Sequence, residues 1–262
     1  MYYLRKKAKY GPNNPVRYVT TDVFFKSWVE LIYNQFKDNH NDHSLITPEH
    51  DVAQVIRGYK LLANIAWDKV DYVLIPINVG QKHHWVLAVL SIQSRCLYVY
   101  DSLPGGAAHT RAVREIVQKL AKMIPLFFNS TGFYGKRDDV DWKNNIEYIE
   151  KGVSDPLDYV FVENLPEQDP ESNDCGVYVC AFAEYISQGI LEIPKDEFDH
   201  HLHRSRYGAL LWDYARKKQD AGAISECEAT GLVTGKLGGP RIRKEPVPQW
   251  EKLPRPKRKV KN

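Results

Sequence analysis

Four residues of this chain have side chains suited to nucleophilic chemistry: His84, Asp101, Gln168 and Cys175. A cysteine nucleophile needs a base to take its proton and a third group to hold that base. Cys175 closes the polar stretch Gln168-Asp169-Pro170-Glu171-Ser172-Asn173-Asp174 and leads through Gly176 into an apolar run from Val177 to Ile186. Asn173 and Asp174 are good N-cap types, so a helix is predicted to start there with Cys175 in its first turn. A thiol in that position faces the positive end of the helix dipole and unpaired backbone N–H groups, and both favour thiolate over thiol. The run behind it reads as a helix buried on most sides, which would hold the sulfur rigidly.

The elements upstream must deliver the partners. His84 to Ile92 and Cys96 to Tyr100 read as two strands joined by the polar turn Gln93-Ser94-Arg95, an antiparallel hairpin. His84 starts the first strand and Asp101 follows the second, and in such a hairpin those ends lie side by side. Gln168 can donate a side-chain N–H to a developing oxyanion, joined by the backbone N–H of Cys175. Taken singly the signals are weak. His83-His84 at a strand entrance is ordinarily a solvent-facing pair, and Asp101 before Ser-Leu-Pro-Gly is an ordinary turn residue. The ordered set is what points to chemistry.

Around these, residues 1 to about 17 read as a basic N-terminal arm. Helical spacing follows from Val23 to Phe36, capped by Thr20-Thr21-Asp22, and again over roughly Glu49 to Ala66. Asp71 to Ile77 is a β-branched strand, His109 to Met123 a helix, and Tyr159 to Val162 a further strand. Asn129 to Gly152 reads as a surface excursion with a short helix near Asn144 to Glu150, Gly189 as a helix stop, and Arg206 to Lys218 as a last amphipathic helix. The order of elements predicts an α+β fold with a mostly antiparallel sheet flanked by helices.

At 262 residues, 43% hydrophobic and 12% aromatic, the composition is that of a folded protein rather than a disordered one. Four cysteines, Cys96, Cys175, Cys180 and Cys227, form no CxxC pair and no disulfide framework, which predicts a reducing compartment, nuclear or cytoplasmic. Neither a signal-peptide core at the start nor an apolar run of membrane-spanning length is present in the sequence. Residues 236–262 carry ten Lys and Arg against two Glu, so this segment holds +8 while the net charge is +3. Its run Arg255-Pro256-Lys257-Arg258-Lys259-Val260-Lys261 has the composition of a nuclear-localisation or weak nucleic-acid-binding tail, or of a solubilising end.

His84-Trp85, then Tyr98-Val99-Tyr100-Asp101-Ser102-Leu103, then Gln168 and Asn173-Asp174-Cys175-Gly176-Val177-Tyr178-Val179-Cys180, resembles the Ulp/sentrin-type cysteine proteases, and most of all their plant and transposon-associated members. The similarity runs from about Tyr18 to Arg216 and keeps the order His, Asp, Gln, Cys. It implies a papain-like α+β fold and a protease domain over 18–220, with 221–262 as a tail. It also implies cleavage after the C-terminal Gly-Gly of SUMO or a related ubiquitin-like protein. By the same resemblance Cys175 is nucleophile, His84 base, Asp101 orienter and Gln168 oxyanion donor. Trp85 and Tyr18 become the aromatics closing a tunnel over the Gly-Gly tail; no cofactor and no metal are implied, and a monomer is expected.

Two departures stand out. Many members place the Gln six residues before the Cys, where this chain has Asp169; a carboxylate cannot stabilise an oxyanion, so Gln168 is assigned and a loop one residue longer is predicted. The family's Trp-Leu-x-Asp segment is replaced by Tyr18-Val19-Thr20-Thr21-Asp22. Cys180 lies about 140° round the helix from Cys175 and reads as core. His200-His201-x-His203 lacks the companions of a zinc site and reads as a solvated cluster. The modifier body is expected between the helices before Ala66 and the 129–152 excursion. Two other uses of the chain remain open at this level: acyl transfer by the same triad, and an inactive binding protein whose basic tail engages nucleic acid.

Overall fold

A computed structural model describes residues 1–80, 84–103 and 105–220. They fall into two units, Met1–Ser205 and a second from Arg206 onward. In the first, five strands form one sheet in the order β1-β2-β3-β4-β5: Tyr18–Thr20, Tyr72–Val79, His84–Ser91, Cys96–Tyr100 and Asp158–Phe161. The two central pairings, β2 with β3 and β3 with β4, are antiparallel, and the outer strands β1 and β5 join in parallel. The predicted hairpin is therefore present, with Leu87 opposite Tyr100 and Ser91 opposite Cys96. Its turn uses Arg95 at φ +51°, and the buried guanidinium donates to the carbonyls of Pro156 (2.9 Å) and Asp155 (2.6 Å), which fixes where β5 begins.

Side chains alternate across a strand, so β2 and β3 feed two cores. Val73, Ile75, Ile77, Val86, Ala88 and Leu90 face one, which is covered by α2 (Phe25–Asp38), α3 (Asp51–Ile56) and α4 (Ala107–Ser130). Leu74, Leu87 and Val89 face the other, covered by α5 (Cys175–Ser187) through Tyr178, Val179, Phe182, Ala183 and Ile186. Burial on both faces explains why these strands read as near-continuous apolar runs. The result is the α+β arrangement expected, with a mixed sheet.

Several boundaries differ from the sequence expectation, each for a physical reason. The first seventeen residues are not a plain arm: α1 (Tyr2–Tyr10) is pinned by the buried Arg5, which donates to the Leu62 carbonyl (3.0 Å), Thr20 Oγ1 (3.1 Å) and the Thr21 carbonyl (3.0 Å). The helix expected from Glu49 to Ala66 stops after α3, because Gly58 takes φ +85° and a Cβ there would lie 2.7 Å from the Ala66 nitrogen. Conversely α4 runs on through Pro125. A proline has no N–H for the carbonyl four residues back, and the Leu157 N–H takes that Ala121 carbonyl instead at 2.9 Å. Residues 144–150 form turns, not a helix. The excursion around them is packed by aromatics, with Phe133 stacked on Phe128 at 4.0 Å and Tyr148 Oη bonded to the Ile92 carbonyl at 2.5 Å.

α6 (His200–Asp220) starts in the first unit and makes up the described part of the second, where Leu210, Leu211 and Trp212 are exposed and Lys217 pairs with Asp213 at 2.6 Å. No helix among the described residues is long and apolar enough to cross a membrane. The expected basic tail, with Cys227, lies outside the described residues, as do His83 and Pro104.

Candidate active site

The hairpin places a base beside a carboxylate. His84 opens β3 and is held by its pairing with Val79 at the end of β2. β4 pairs only as far as Tyr100, so Asp101 leaves the sheet just short of His84 and its side chain closes the gap: His84 Nε2 lies 2.8 Å from Asp101 Oδ1. His84 is 3% exposed. The Leu103 N–H donates to the same carboxylate oxygen at 3.0 Å. The second oxygen is met by a residue the sequence reading did not single out. His109, in the first turn of α4, sets Nε2 2.7 Å from Asp101 Oδ2, with the two imidazoles 5.1 Å apart and edge-on. Burial pushes the Asp101 carboxyl up, but hydrogen bonds from His84, the Leu103 amide and His109 outweigh it and hold the group below its ordinary value. A carboxylate only accepts, so both rings present Nε2–H to it. That leaves Nδ1 of neutral His84 with the lone pair a general base needs.

The thiol arrives from the other side of the sequence. Cys175 is the first residue of α5 and is buried, 7% exposed. Asp174 occupies the N-cap position, yet it makes no side-chain cap. Its carboxylate instead pairs with Arg204, with His200 at 4.0 Å. The cap predicted from sequence is thus replaced by an ion pair that ties the start of α6 to the residue before the nucleophile candidate. Cys180 is exposed rather than core. The buried residues of α5 are Cys175, Tyr178, Val179, Ala181, Phe182, Ala183, Ile186 and Ser187, and position 180 lies off that face.

Gln168 is fastened to the hairpin end. Its backbone N–H donates to the Ser102 carbonyl at 2.8 Å, and the Ser102 hydroxyl donates to Gln168 Oε1 at 2.9 Å. Both residues are buried. With Oε1 engaged, the amide is turned so that Nε2 faces the loop leading to Cys175, where the Ser172 carbonyl is 3.4 Å away. Asp169 is exposed and uses its carboxylate to receive the Glu171 N–H at 2.9 Å. The loop therefore turns Gln168 inward and Asp169 outward, as their chemistry requires. Ser102, adjacent to Asp101, is the link joining His84, Asp101 and Gln168, and its only sequence signal was its place in the Asp101-Ser102-Leu103 triplet.

The two tunnel aromatics fare differently. Trp85 is half-buried beside His84, on the face that α5 covers. Tyr18 is 1% exposed, with Oη on the Leu4 carbonyl at 3.1 Å. It lies beside Tyr72, seven residues along β2 from the Val79–His84 pair, which is about 23 Å at the rise of a strand. Tyr18 is a core residue at the far end of the sheet, not a lid over this site. The 129–152 excursion is anchored at that same far end, through the Ile92 and Gln93 carbonyls.

His84, Asp101 and His109 are also the one group among the described residues whose ligand atoms converge as a metal site would need, all within 4.8 Å of one another. Those atoms are matched to each other as hydrogen bonds. A metal on His109 Nε2 would leave Nδ1–H buried, and Nδ1 has no hydrogen-bond partner among the described residues, whereas metal-bound imidazoles ordinarily donate that N–H. The set fits a polar relay better than a metal centre.

Comparison with known proteins agrees in kind. A family model described as the Ulp1 protease family, C-terminal catalytic domain, matches residues 1–208. Sentrin-specific protease 2 of Pongo abelii is 26% identical over 121 residues, 45% of this chain and 16% of that protein. Ubiquitin-like-specific protease 1 of Saccharomyces cerevisiae is 26% identical over 134 residues, 51% of this chain and 17% of that protein. The chain thus spans about a sixth of the length of these relatives. A solved structure of the C-terminal Ulp1 protease domain in complex with Smt3, the yeast ortholog of SUMO, is 21% identical, with a TM-score of 0.43 over 78% of this chain and 66% of that one. With the family's catalytic-domain pattern matched across most of its length, the chain belongs to the Ulp1 protease family.

Proposed function

We propose that the chain is a thiol-dependent peptidase and isopeptidase that cleaves after the C-terminal Gly-Gly of SUMO or a related ubiquitin-like modifier. The observation that carries the reading is the His84–Asp101 pair at 2.8 Å, in a chain of this family whose α5 opens on Cys175. Cys175 Sγ attacks the scissile carbonyl carbon while His84 Nδ1 takes the thiol proton. Asp101 holds the imidazolium. Gln168 Nε2–H and the Cys175 backbone N–H receive the oxyanion. The tetrahedral intermediate expels the amine, which leaves with the proton from His84, and water then hydrolyses the thioester by the same route in reverse.

Specificity follows from size. Only glycine lacks a Cβ, so a close aromatic wall beside the base, formed by Trp85, admits Gly-Gly and excludes bulkier tails. Four cysteines with no CxxC pair and no disulfide framework favour a reducing compartment, nuclear or cytoplasmic. A monomer, with weak nucleic-acid contact through the basic residues of 236–262, completes the reading. The test is labelling by a panel of ubiquitin-like proteins carrying C-terminal electrophiles, followed by turnover of the matching C-terminal amide. Labelling by the SUMO probe with hydrolysis supports the proposal. Transfer of acetyl from acetyl-CoA with no amide hydrolysis would replace it with acyl transfer, and no labelling by any probe would sink it.

A further inference from the structure

We propose that His109 is a positioning residue for the His84–Asp101 pair: by donating Nε2–H to Asp101 Oδ2, it locks the carboxylate in the rotation that offers Oδ1 to His84. This rests on the reading of His84 as the base and Asp101 as its orienter.

The argument starts from Asp101 itself. It follows the last paired residue of β4, so no β3–β4 ladder hydrogen bond holds its backbone, and the terminal torsion of an aspartate is broad. A carboxylate free to rotate would present His84 with a shifting acceptor. On this residue both oxygens are taken, Oδ1 by His84 and the Leu103 N–H, Oδ2 by His109 at 2.7 Å. Opposed donors on the two oxygens hold the plane of the group.

Among the described residues, His109 makes that polar contact and no other. It is 8% exposed, and its Nδ1 is buried without a hydrogen-bond partner there, so the ring's single polar contact among the described residues is the one on Asp101. The ring lies over Gly105, where a Cβ would sit 2.1 Å from His109 Cδ2 and 2.7 Å from its Cβ. The backbone there is bare where the imidazole needs room. The core beneath α4 is filled by Val113, Val117 and Leu120 further along the helix. A buried imidazole with one partner, over a glycine that makes space for it, is a costly arrangement for packing alone.

The test compares His109→Ala, His109→Gln and Gly105→Ala with the parent chain. Gln places an N–H donor where Nε2 was, and Gly105→Ala displaces the ring without removing it. Small displacements of reacting groups cost up to about a hundredfold in rate. His109→Ala is expected to lower kcat on a ubiquitin-like C-terminal amide by about tenfold to a hundredfold, with KM little changed and the thermal midpoint somewhat lowered, because Asp101 Oδ2 loses its donor. His109→Gln is expected to restore most of the rate, and Gly105→Ala to resemble His109→Ala. A second arm needs no substrate: in Cys175→Ala protein, the hydrogen-bonded His84 Nε2–H proton is followed by NMR and should broaden or vanish when His109→Ala is added. A parent chain that turns over no substrate would count against the protease reading alone, and the NMR arm would still decide this proposal. Wild-type kcat in His109→Ala, an unchanged His84 Nε2–H signal, or Ala and Gln variants equally slow with a lowered thermal midpoint would each overturn it.

Discussion

Ser102→Ala isolates the link between the hairpin and the oxyanion donor. The substitution removes one hydroxyl that donates to Gln168 Oε1 at 2.9 Å, while the Gln168 N–H bond to the Ser102 carbonyl at 2.8 Å survives, so the loop keeps its place. What is lost is the preference of the amide for one face. A hydrogen bond of this kind is worth about 1 kcal/mol net, which is about a fivefold bias in orientation. The weak contact of Nε2 with the Ser172 carbonyl at 3.4 Å does little to replace it. An oxyanion donor contributes about 100-fold to 1,000-fold to kcat. With the bias gone, the correctly turned fraction falls from about five in six to about one in two, so Ser102→Ala should slow kcat by about twofold, well short of the loss in Gln168→Ala. The double variant should be no slower than Gln168→Ala alone, because the hydroxyl acts only through the amide. Hydrolysis of a ubiquitin-like C-terminal amide under saturating substrate reads all four proteins. Losses that multiply in the double variant would refute the reasoning, as would a Ser102→Ala protein running at the parent rate.

Further outcomes follow from the same geometry. Cys175→Ala should abolish labelling by a Gly-Gly electrophile while Cys180→Ala, on the exposed face of α5, leaves it intact; the opposite pattern would refute the nucleophile assignment. Arg5→Ala removes the buried anchor of α1 and should lower stability by about 2–4 kcal/mol, measured as a shift in urea midpoint at constant slope. Gly58→Ala forces a side chain into φ +85° against the Ala66 nitrogen and should cost about 1 kcal/mol or more; a neutral result would contradict the backbone assignment. The Asp101 carboxyl sits below its ordinary value because donors from His84, Leu103 and His109 outweigh burial. Its contribution is fully present above the unfolded value of about 3.9 and is lost as pH falls through the lower folded value. Thermal midpoints taken downward from pH 5 should therefore fall less steeply in Asp101→Asn than in the parent, and parallel slopes would contradict the assignment.

What could be read from the sequence follows the reach of each signal. The hairpin was legible because its strands are β-branched and its turn short, and with it came the meeting of His84 and Asp101 across seventeen residues. That Gln168 turns inward and Asp169 outward agrees with the chemistry argued from sequence. Tyr18 was misread because a motif carries residue types but not the end of the sheet at which they fall; the parallel register of β1 on β2 sets that. Cys180 was misread because α5 is apolar almost all round, so its sequence hides which stripe meets the sheet. α1 was missed because a run of basic residues looks solvated, and nothing local marks Arg5 as the one that goes inside. His109 gave no sign beyond the glycines before it, since its partner lies on another element.

Pro125 has a consequence for how the halves of the catalytic unit stay aligned. The ring orphans the Ala121 carbonyl, and the Leu157 amide docks there at 2.9 Å immediately before β5. That docking point acts as a register stop. A slip of the strand by one residue would leave the orphan facing the wrong amide and would turn Tyr159 and Phe161 away from the core they pack against. Since β5 feeds the segment that carries Gln168 and Cys175, a missing hydrogen on one helix indexes the chain that brings the sulfur to its post.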